Sequence, residues 1–195
     1  MNKTLLNEIK KDALERHIPI IMDDTLEEIN KIIKQIKPTN ILEIGTAVGY
    51  SSICFTEFMS DAGKIDTIEI DEEKVVEAKE NIKKMGLENK INVIAGDAVL
   101  VLPEINEKYD MIFIDASKGK YPTFLKEALR LSKKGTIILA DNILYKGYVL
   151  GDYNKHKQRT AVNRLREYVK EITENEKLDT QILEVGDGLG ITKVC

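Results

Sequence analysis

Apolar runs alternate with amphipathic segments from residue 40 onward, and this alternation is the strongest constraint on the fold. Five runs have the length of buried strands, at residues 40–44, 64–70, 91–95, 111–114 and 136–140. Helical spacing of apolar residues occupies segments between them, at 51–59, 73–85 and 121–131. Strand and helix alternation of this kind is typical of a parallel sheet with helices on both faces. We therefore predict an α/β fold.

The two ends of the chain differ from this pattern. Helical spacing predicts a first helix over residues 3–16 and a second one that ends at residue 36, with Asp24 and Thr25 as candidate caps. After a predicted helix at 160–174, two strand candidates at 180–185 and 190–194 flank Gly186-Asp187-Gly188, a typical hairpin turn. We predict a mostly parallel seven-stranded sheet with an antiparallel C-terminal hairpin, in a single domain over residues 1–195.

Oxygen-bearing side chains follow two of the predicted strands. Asp115 comes after the run at 111–114, and Asp141 and Asn142 follow the run at 136–140. Parallel strands gather their carboxyl ends at one sheet edge, where ligands of open α/β sheets bind. Carboxylate and amide oxygens suit a hard cation such as Mg²⁺. The alternative is a simple turn, since Asp and Asn also favour turns.

Polar groups also follow the first three predicted strands. Glycines at 45 and 49 allow a tight turn and a close approach to a ligand, although Ala47 breaks the dinucleotide-binding fingerprint and a purely structural turn stays open. Glu69 ends the second strand, where a carboxylate can accept hydrogen bonds from a ribose diol. Asp97 follows the third strand, where it can border an adenine or simply cap a helix. Together these groups predict a nucleoside-containing cofactor without phosphates.

The ordered set of motifs resembles the cation-dependent O-methyltransferases, which include the catechol and caffeoyl-CoA methyltransferases. The strings that carry the resemblance are ILEIGTAVGYSS, IEID, GDA, FIDASKGKY and ILADNILYKG, and it extends from about His17 onward. It implies a Rossmann-like class I methyltransferase fold, S-adenosyl-L-methionine as methyl donor and Mg²⁺ or another divalent cation. It also implies that residues 1–38 form helices that cover the cofactor site, and that the enzyme is a homodimer.

The resemblance further implies roles for individual residues. Cofactor-binding positions would be Met22, Glu43, Gly45, Ser51, Glu69, Gly96, Asp97, Ala98 and Asp115. The methionine portion is assigned to Glu43, Gly45 and Ser51, and the ribose to Glu69. The metal ligands would be Asp115, Asp141 and Asn142. Lys118 would act with Asp115 in catalysis, by assisting deprotonation of the acceptor hydroxyl or by orienting it.

Basic residues cluster after the two metal-bearing strand ends despite a net charge of −4. The cluster consists of Lys118, Lys120, Lys146, Lys155, His156, Lys157 and Arg159. Within the family, the sequence is most similar to bacterial tRNA 5-hydroxyuridine methyltransferases, which implies a tRNA anticodon loop as partner. Lys146, Lys155, Lys157 and Arg159 are then expected to contact phosphates. The alternatives are a catechol-like or acyl-CoA-linked phenol as acceptor, and a non-catalytic nucleotide-binding α/β module.

Composition indicates where the protein acts. Hydrophobic residues make up 43% and charged residues 32% of the sequence, the balance of a soluble globular protein. We find no long uncharged apolar run and no secretory signal pattern at the N-terminus. We therefore expect a cytoplasmic enzyme without a membrane partner.

Overall fold

A sheet of seven strands forms the centre of the computed structural model, which describes residues 1–151 and 158–195. The strands are β1 (Asn40–Ile44), β2 (Lys64–Glu69), β3 (Ile91–Ala95), β4 (Tyr109–Ile114), β5 (Ser132–Ala140), β6 (Leu178–Leu183) and β7 (Leu189–Val194). Their order in the sheet is β3-β2-β1-β4-β5-β7-β6. Strands β1 to β5 run parallel, whereas β7 is antiparallel to both β5 and β6. The predicted α/β fold is confirmed.

Helices cover both faces of the sheet. They are α1 (Lys3–Glu15), α2 (Asp23–Ile36), α3 (Tyr50–Phe55), α4 (Glu72–Lys84), α5 (Ala98–Val101), α6 (Tyr121–Leu131) and α7 (Arg159–Glu174). Successive side chains of a strand point to opposite faces, so Ile41 joins the core under α1 to α4 and Leu42 joins the core under α5 to α7. No helix in the described parts of the chain is long and apolar enough to cross a membrane.

Several predicted element boundaries are wrong by a few residues. The helix after β1 ends at Phe55 rather than at residue 59, and Met22 rather than Asp24 or Thr25 is the N-cap of α2. Strand β5 begins at Ser132, four residues earlier than predicted, because the Thr136 hydroxyl donates to the Tyr109 carbonyl (2.7 Å) and accepts the Lys133 amide (3.0 Å). Polar residues can thus extend a strand whose apolar part alone is visible in the sequence.

The strand order determines where a ligand can bind. The chain proceeds from β1 outward through β2 to β3, and then returns to the other side of β1 as β4. Helices that follow β1 and β4 therefore lie on opposite faces, and a crevice opens between the carboxyl ends of these two strands.

Candidate active site

A cavity of about 540 Å³ opens at the carboxyl edge of the sheet, in the size range of small-molecule sites. Eight of the residues proposed from sequence line it: Gly45, Ser51, Glu69, Gly96, Asp97, Ala98, Asp115 and Lys118. They come from the ends of β1 to β4 and from the segments that follow these strands. Folding thus brings distant segments of the sequence to one cavity, at the crevice between β1 and β4.

Gly45 lies at the closest approach of β1 and β4. Its φ is +105°, and a Cβ atom there would lie 2.1 Å from the Asp115 carbonyl oxygen. A larger residue would clash with backbone that has no freedom to move, because the Asp115 amide also donates to the Ile44 carbonyl (3.0 Å). Glycine at this position therefore allows the two strand ends to close against each other and form the cavity floor.

Glu43 does not line the cavity, and its proposed contact with a cofactor stays a prediction. Its buried carboxyl group instead accepts hydrogen bonds from the hydroxyls of Ser51 (2.5 Å), Thr67 (2.6 Å) and Ser52. Burial raises the pKa of Glu43 to about 7, although the three hydroxyl donors oppose the shift. Glu43 therefore fixes the side chain of Ser51, which lines the cavity, by accepting its hydrogen bond.

Glu69 is held by the backbone of its own neighbourhood. One carboxylate oxygen accepts the Ala47 amide (2.8 Å) and the other accepts the Asp71 amide (3.0 Å). A carboxylate has about four lone-pair positions, so two acceptor positions stay available for a ligand. Asp97 caps α5 by accepting the Val99 amide (2.8 Å). It also lines the cavity, so the geometry is compatible with the predicted contact to an adenine as well.

A cluster of Asp115, Asp141 and Asn142 lies beside the cavity. The Asn142 side-chain nitrogen is 3.5 Å from an Asp115 carboxylate oxygen, and the Asn142 backbone amide donates to Asp141 (2.7 Å). Only Asp115 also lines the cavity. The three side chains proposed as metal ligands are therefore neighbours, and Asp115 joins them to the cavity.

The carboxylates of this cluster lie in an environment that disfavours their charged forms. Burial raises the pKa of Asp115, and burial together with the Asp115 charge raises the pKa of Asp141 to about 7. Lys118 opposes both shifts without cancelling them. Across residues 1–151 and 158–195 no group of three His, Cys, Asp or Glu side chains is placed to hold a metal ion. The cluster instead offers two carboxylates and one amide, a donor set that fits a hard cation.

Lys118 begins a short 3-10 helix (Lys118–Lys120) after β4 and lines the cavity. Its ammonium nitrogen lies 5.3 Å from the centre of the Tyr145 ring, within the range of a cation–π contact. Of the proposed phosphate-binding residues, Lys146 and Arg159 are exposed, while Lys155 and Lys157 lie outside the described residues.

Other residues of the cavity wall were missed by the sequence analysis. They include Pro19, Ile20, Ile21, Ile70, Lys74 and Phe124, while Lys120 from the predicted basic cluster also lines the cavity. The segment at 19–21 provides the cover that was assigned to Met22, whose exposed side chain does not line the cavity. Ile70 offered a signal in the sequence, since it is an apolar residue beyond a strand end and is 66% exposed in the absence of a ligand.

Comparison with known proteins identifies the class of the site. A sequence profile of the O-methyltransferase family matches residues 2–194. Catechol O-methyltransferase of Niastella koreensis is 36% identical over 150 residues, which cover 75% of this chain and 66% of that enzyme. Caffeoyl-CoA O-methyltransferase 2 of Petunia hybrida is 32% identical over 196 residues, which cover 94% of this chain and 81% of that enzyme.

The fold agrees with these relatives. The crystal structure of the O-methyltransferase from Bacillus cereus in complex with SAH superposes with a TM-score of 0.89, at 27% identity, and the match covers 98% of this chain and 91% of that one. The relatives named above are enzymes. This argues against the alternative of a non-catalytic nucleotide-binding module. The chain belongs to the O-methyltransferase family and is an S-adenosylmethionine-dependent methyltransferase.

Proposed function

We propose that the protein transfers the methyl group of S-adenosylmethionine to one hydroxyl of a small aromatic compound with two adjacent oxygens, and that a divalent cation assists. The main support for this proposal is that Asp115 belongs to both parts of the site. It lines the 540 Å³ cavity, and its carboxylate oxygen lies 3.5 Å from the side-chain nitrogen of Asn142. A cofactor in the cavity and an acceptor at the cluster would therefore meet at Asp115. The names of the catechol and caffeoyl-CoA relatives support a phenolic acceptor.

The cavity residues offer complementary contacts to the parts of the cofactor. The two free acceptor positions of Glu69 suit the ribose hydroxyls, and exposed Ile70 offers an apolar surface for the adenine ring. Asp97 can accept from the adenine edge while its other oxygen caps α5. At the methionine end, Gly45 lets the ligand approach the backbone, and Ser51 is held in place by Glu43.

The cluster of Asp115, Asp141 and Asn142 fits Mg²⁺ or a similar cation, since it joins the buried carboxylate of Asp141 and the partly buried carboxylate of Asp115 to an amide oxygen. When bound, such a cation supplies a positive charge that lowers the pKa of an acceptor hydroxyl and aligns two adjacent oxygens. The protein contributes partial burial of the cluster, with Asp141 the most buried of the three residues. It also holds the Asp141 backbone through the Tyr121 hydroxyl, which donates to the Asp141 carbonyl (2.7 Å).

Lys118 is the protein group best placed to assist the acceptor. It lines the cavity on the segment after Asp115, and its ammonium group faces the Tyr145 ring. In the reaction, the acceptor oxygen loses its proton and forms a bond to the methyl carbon as the carbon–sulfur bond of the donor breaks. A lysine at this position accepts the proton in its neutral form, or orients the oxygen in its charged form.

A single substitution tests this role. Lys118→Met should lower turnover by about a hundredfold, the lower range for loss of a general acid–base group, while the affinity for S-adenosylmethionine changes little. The control is Lys120→Met, since Lys120 also lines the cavity and is exposed. Turnover of Lys118→Met equal to that of the control would remove Lys118 from the mechanism. Steady-state methyl transfer and calorimetric titration of the cofactor give the two quantities.

The acceptor itself is tested by methyl incorporation from labelled cofactor into a panel. The panel contains a catechol, a caffeoyl thioester and tRNA that carries 5-hydroxyuridine, each with Mg²⁺ and with a chelator. We expect transfer to a diphenol that the chelator abolishes. Transfer to tRNA alone would overturn the small-molecule proposal and restore the acceptor that the sequence motifs favoured. The observation behind that second candidate is the set of exposed cationic residues near the site, such as Lys120, Lys146 and Arg159.

A further inference from the structure

The turn between β6 and β7 binds the loop that follows β5, which carries Asn142. Four successive loop amides, of residues 143 to 146, donate hydrogen bonds to two residues of this turn. The Gly188 carbonyl accepts from Ile143 (3.0 Å), and the Asp187 carbonyl accepts from Leu144 (3.0 Å) and Tyr145 (3.3 Å). The Asp187 carboxylate accepts from the Lys146 amide (2.5 Å). Asp187 thus receives three of the four bonds, and one of them depends on its side chain.

The loop has an unfavourable backbone conformation that requires such support. Asn142, Tyr145 and Lys146 all have positive φ values, of +61°, +42° and +57°. Residues with a Cβ atom rarely adopt this region, and each such residue costs about 1 kcal/mol or more unless surrounding contacts impose it. The hydrogen bonds that the Tyr145 and Lys146 amides donate to Asp187 impose it at these two residues. Without them, the loop would relax toward ordinary φ values.

The same turn is packed against the loop without space between them. A Cβ atom at Gly188 would lie 2.4 Å from Leu144 Cγ, and the φ of Gly188 is +94°. The loop carries Asn142 at its start, and Tyr145 faces Lys118 at 5.3 Å. Small movements of the loop would therefore displace both a proposed metal ligand and the neighbour of the proposed catalytic lysine.

We infer that Asp187 is a positioning residue for methyl transfer: through its bond to the Lys146 amide it holds the loop that presents Asn142 to the cation and Tyr145 to Lys118. This inference rests on the function proposed above. Asp187 does not line the cavity, and besides its bonds to the loop its negative charge acts directly on Asp141, whose pKa it helps to raise. Asp187→Asn removes this charge but keeps an acceptor oxygen, so it separates the two effects. Neither the sequence motifs nor the names of the relatives assign Asp187 a role.

The first part of the test measures the loop in the full-length protein without added cation. Amide hydrogen exchange of residues 143–146 should accelerate by about tenfold in Asp187→Ala, the effect of losing one hydrogen bond to a charged acceptor. Asp187→Asn keeps an acceptor oxygen and should restore most of the protection. As matched control, Asp110→Ala removes a carboxylate that accepts the Thr39 and Asn40 amides at the opposite edge of the sheet. Unchanged loop exchange in Asp187→Ala would overturn the inference.

The second part measures the consequence for the site, with Mn²⁺ as the probe cation and a catechol as acceptor. Asp187→Ala should weaken Mn²⁺ binding and raise the KM for catechol by about tenfold each, while the affinity for S-adenosylmethionine measured without cation stays within twofold. Asp187→Asn should recover both values, and Asp110→Ala should alter neither. Normal Mn²⁺ binding by Asp187→Ala would overturn the positioning role of Asp187 and would leave the proposed cation site intact. Absence of Mn²⁺ binding in the unmutated protein would overturn the proposed cation site, and loop exchange would still decide whether Asp187 anchors the loop.

Discussion

At the scale of single residues, Glu43 acts on the cavity from the layer beneath it. Its carboxyl group is fully buried and surrounded by the hydroxyls of Ser51, Ser52 and Thr67. The resemblance to the family implies a contact between Glu43 and the cofactor, but a string of letters does not distinguish a side chain that faces a ligand from one that supports its neighbour. The alternation of side chains along β1 decides the matter, since it directs Glu43 into the core.

This environment predicts a pH-dependent stability. The pKa of Glu43 is raised from 4.5 to about 7, so its contribution to stability is fully present below pH 4.5 and is lost as the pH rises through 7. Glu43→Gln removes the titration. The unfolding free energy of the variant minus that of the unmutated protein should therefore increase by about 3 kcal/mol between pH 4.5 and pH 8.

Urea unfolding at several pH values measures this difference. The matched control is Glu88→Gln, because Glu88 is exposed in the loop before β3. The pH dependence of the difference is compared between the two variants. A flat profile for Glu43→Gln would mean that the pKa of Glu43 is not raised in the folded protein.

At the scale of elements, helix α2 is attached to the β6–β7 turn. An Asp24 carboxylate oxygen accepts the Gly186 amide (3.0 Å), and the other accepts the Thr25 amide (2.8 Å). The residues just before α2, at positions 19–21, line the cavity. The attachment of α2 therefore determines where this cover lies.

We predict that Asp24→Ala loosens the cover and weakens S-adenosylmethionine binding by about threefold to tenfold, the equivalent of one net hydrogen bond. Asp23→Ala is the matched control, since it removes only an exposed ion pair with Lys10 (2.5 Å). Calorimetric titration with the cofactor gives both affinities. Equal affinities for the two variants would show that the Asp24 bond does not hold the cover.

The helices and strands differ in how far the sequence alone could predict them. The strand cores were predictable because buried parallel strands are continuous apolar runs, and the Gly186–Gly188 turn was predictable from its glycines. The polar start of β5 was not predictable, because it depends on the hydroxyl of Thr136, which accepts the Lys133 amide and donates to the Tyr109 carbonyl, 27 residues away in the chain. Likewise, nothing local to Asp187 indicates that it binds the loop after β5.

At the scale of the whole molecule, the cluster of Asp115, Asp141 and Asn142 couples stability to pH and, under the proposed function, to cation binding. Burial raises the pKa values of Asp115 and Asp141, so both groups favour folding below their unfolded pKa of 3.8 and cost stability as the pH rises through their raised values, which for Asp141 is about 7. A cation that binds only the folded chain offsets this cost. Its gain is about 2.7 kcal/mol at a concentration of 100 Kd.

We therefore predict that saturating Mg²⁺ raises the Tm by about 5 to 10 °C at pH 8 and by less at pH 5, where protons compete for the carboxylates. Asp141→Asn should lose most of the gain. Thermal unfolding with NaCl at matched ionic strength controls for general screening. An increase that persists in Asp141→Asn would place the responsible cation elsewhere on the protein.

The position of β7 has a consequence for the order in which the enzyme is made. This strand lies between β5 and β6, yet it follows both in the chain. A growing polypeptide therefore produces the cofactor-binding strand ends first, and at 5 to 20 residues per second it takes roughly 7 to 30 seconds to proceed from Gly45 to Leu189. Only then can the hairpin close and hold the loop that carries Asn142. Ability to bind the methyl donor should precede ability to use it during synthesis.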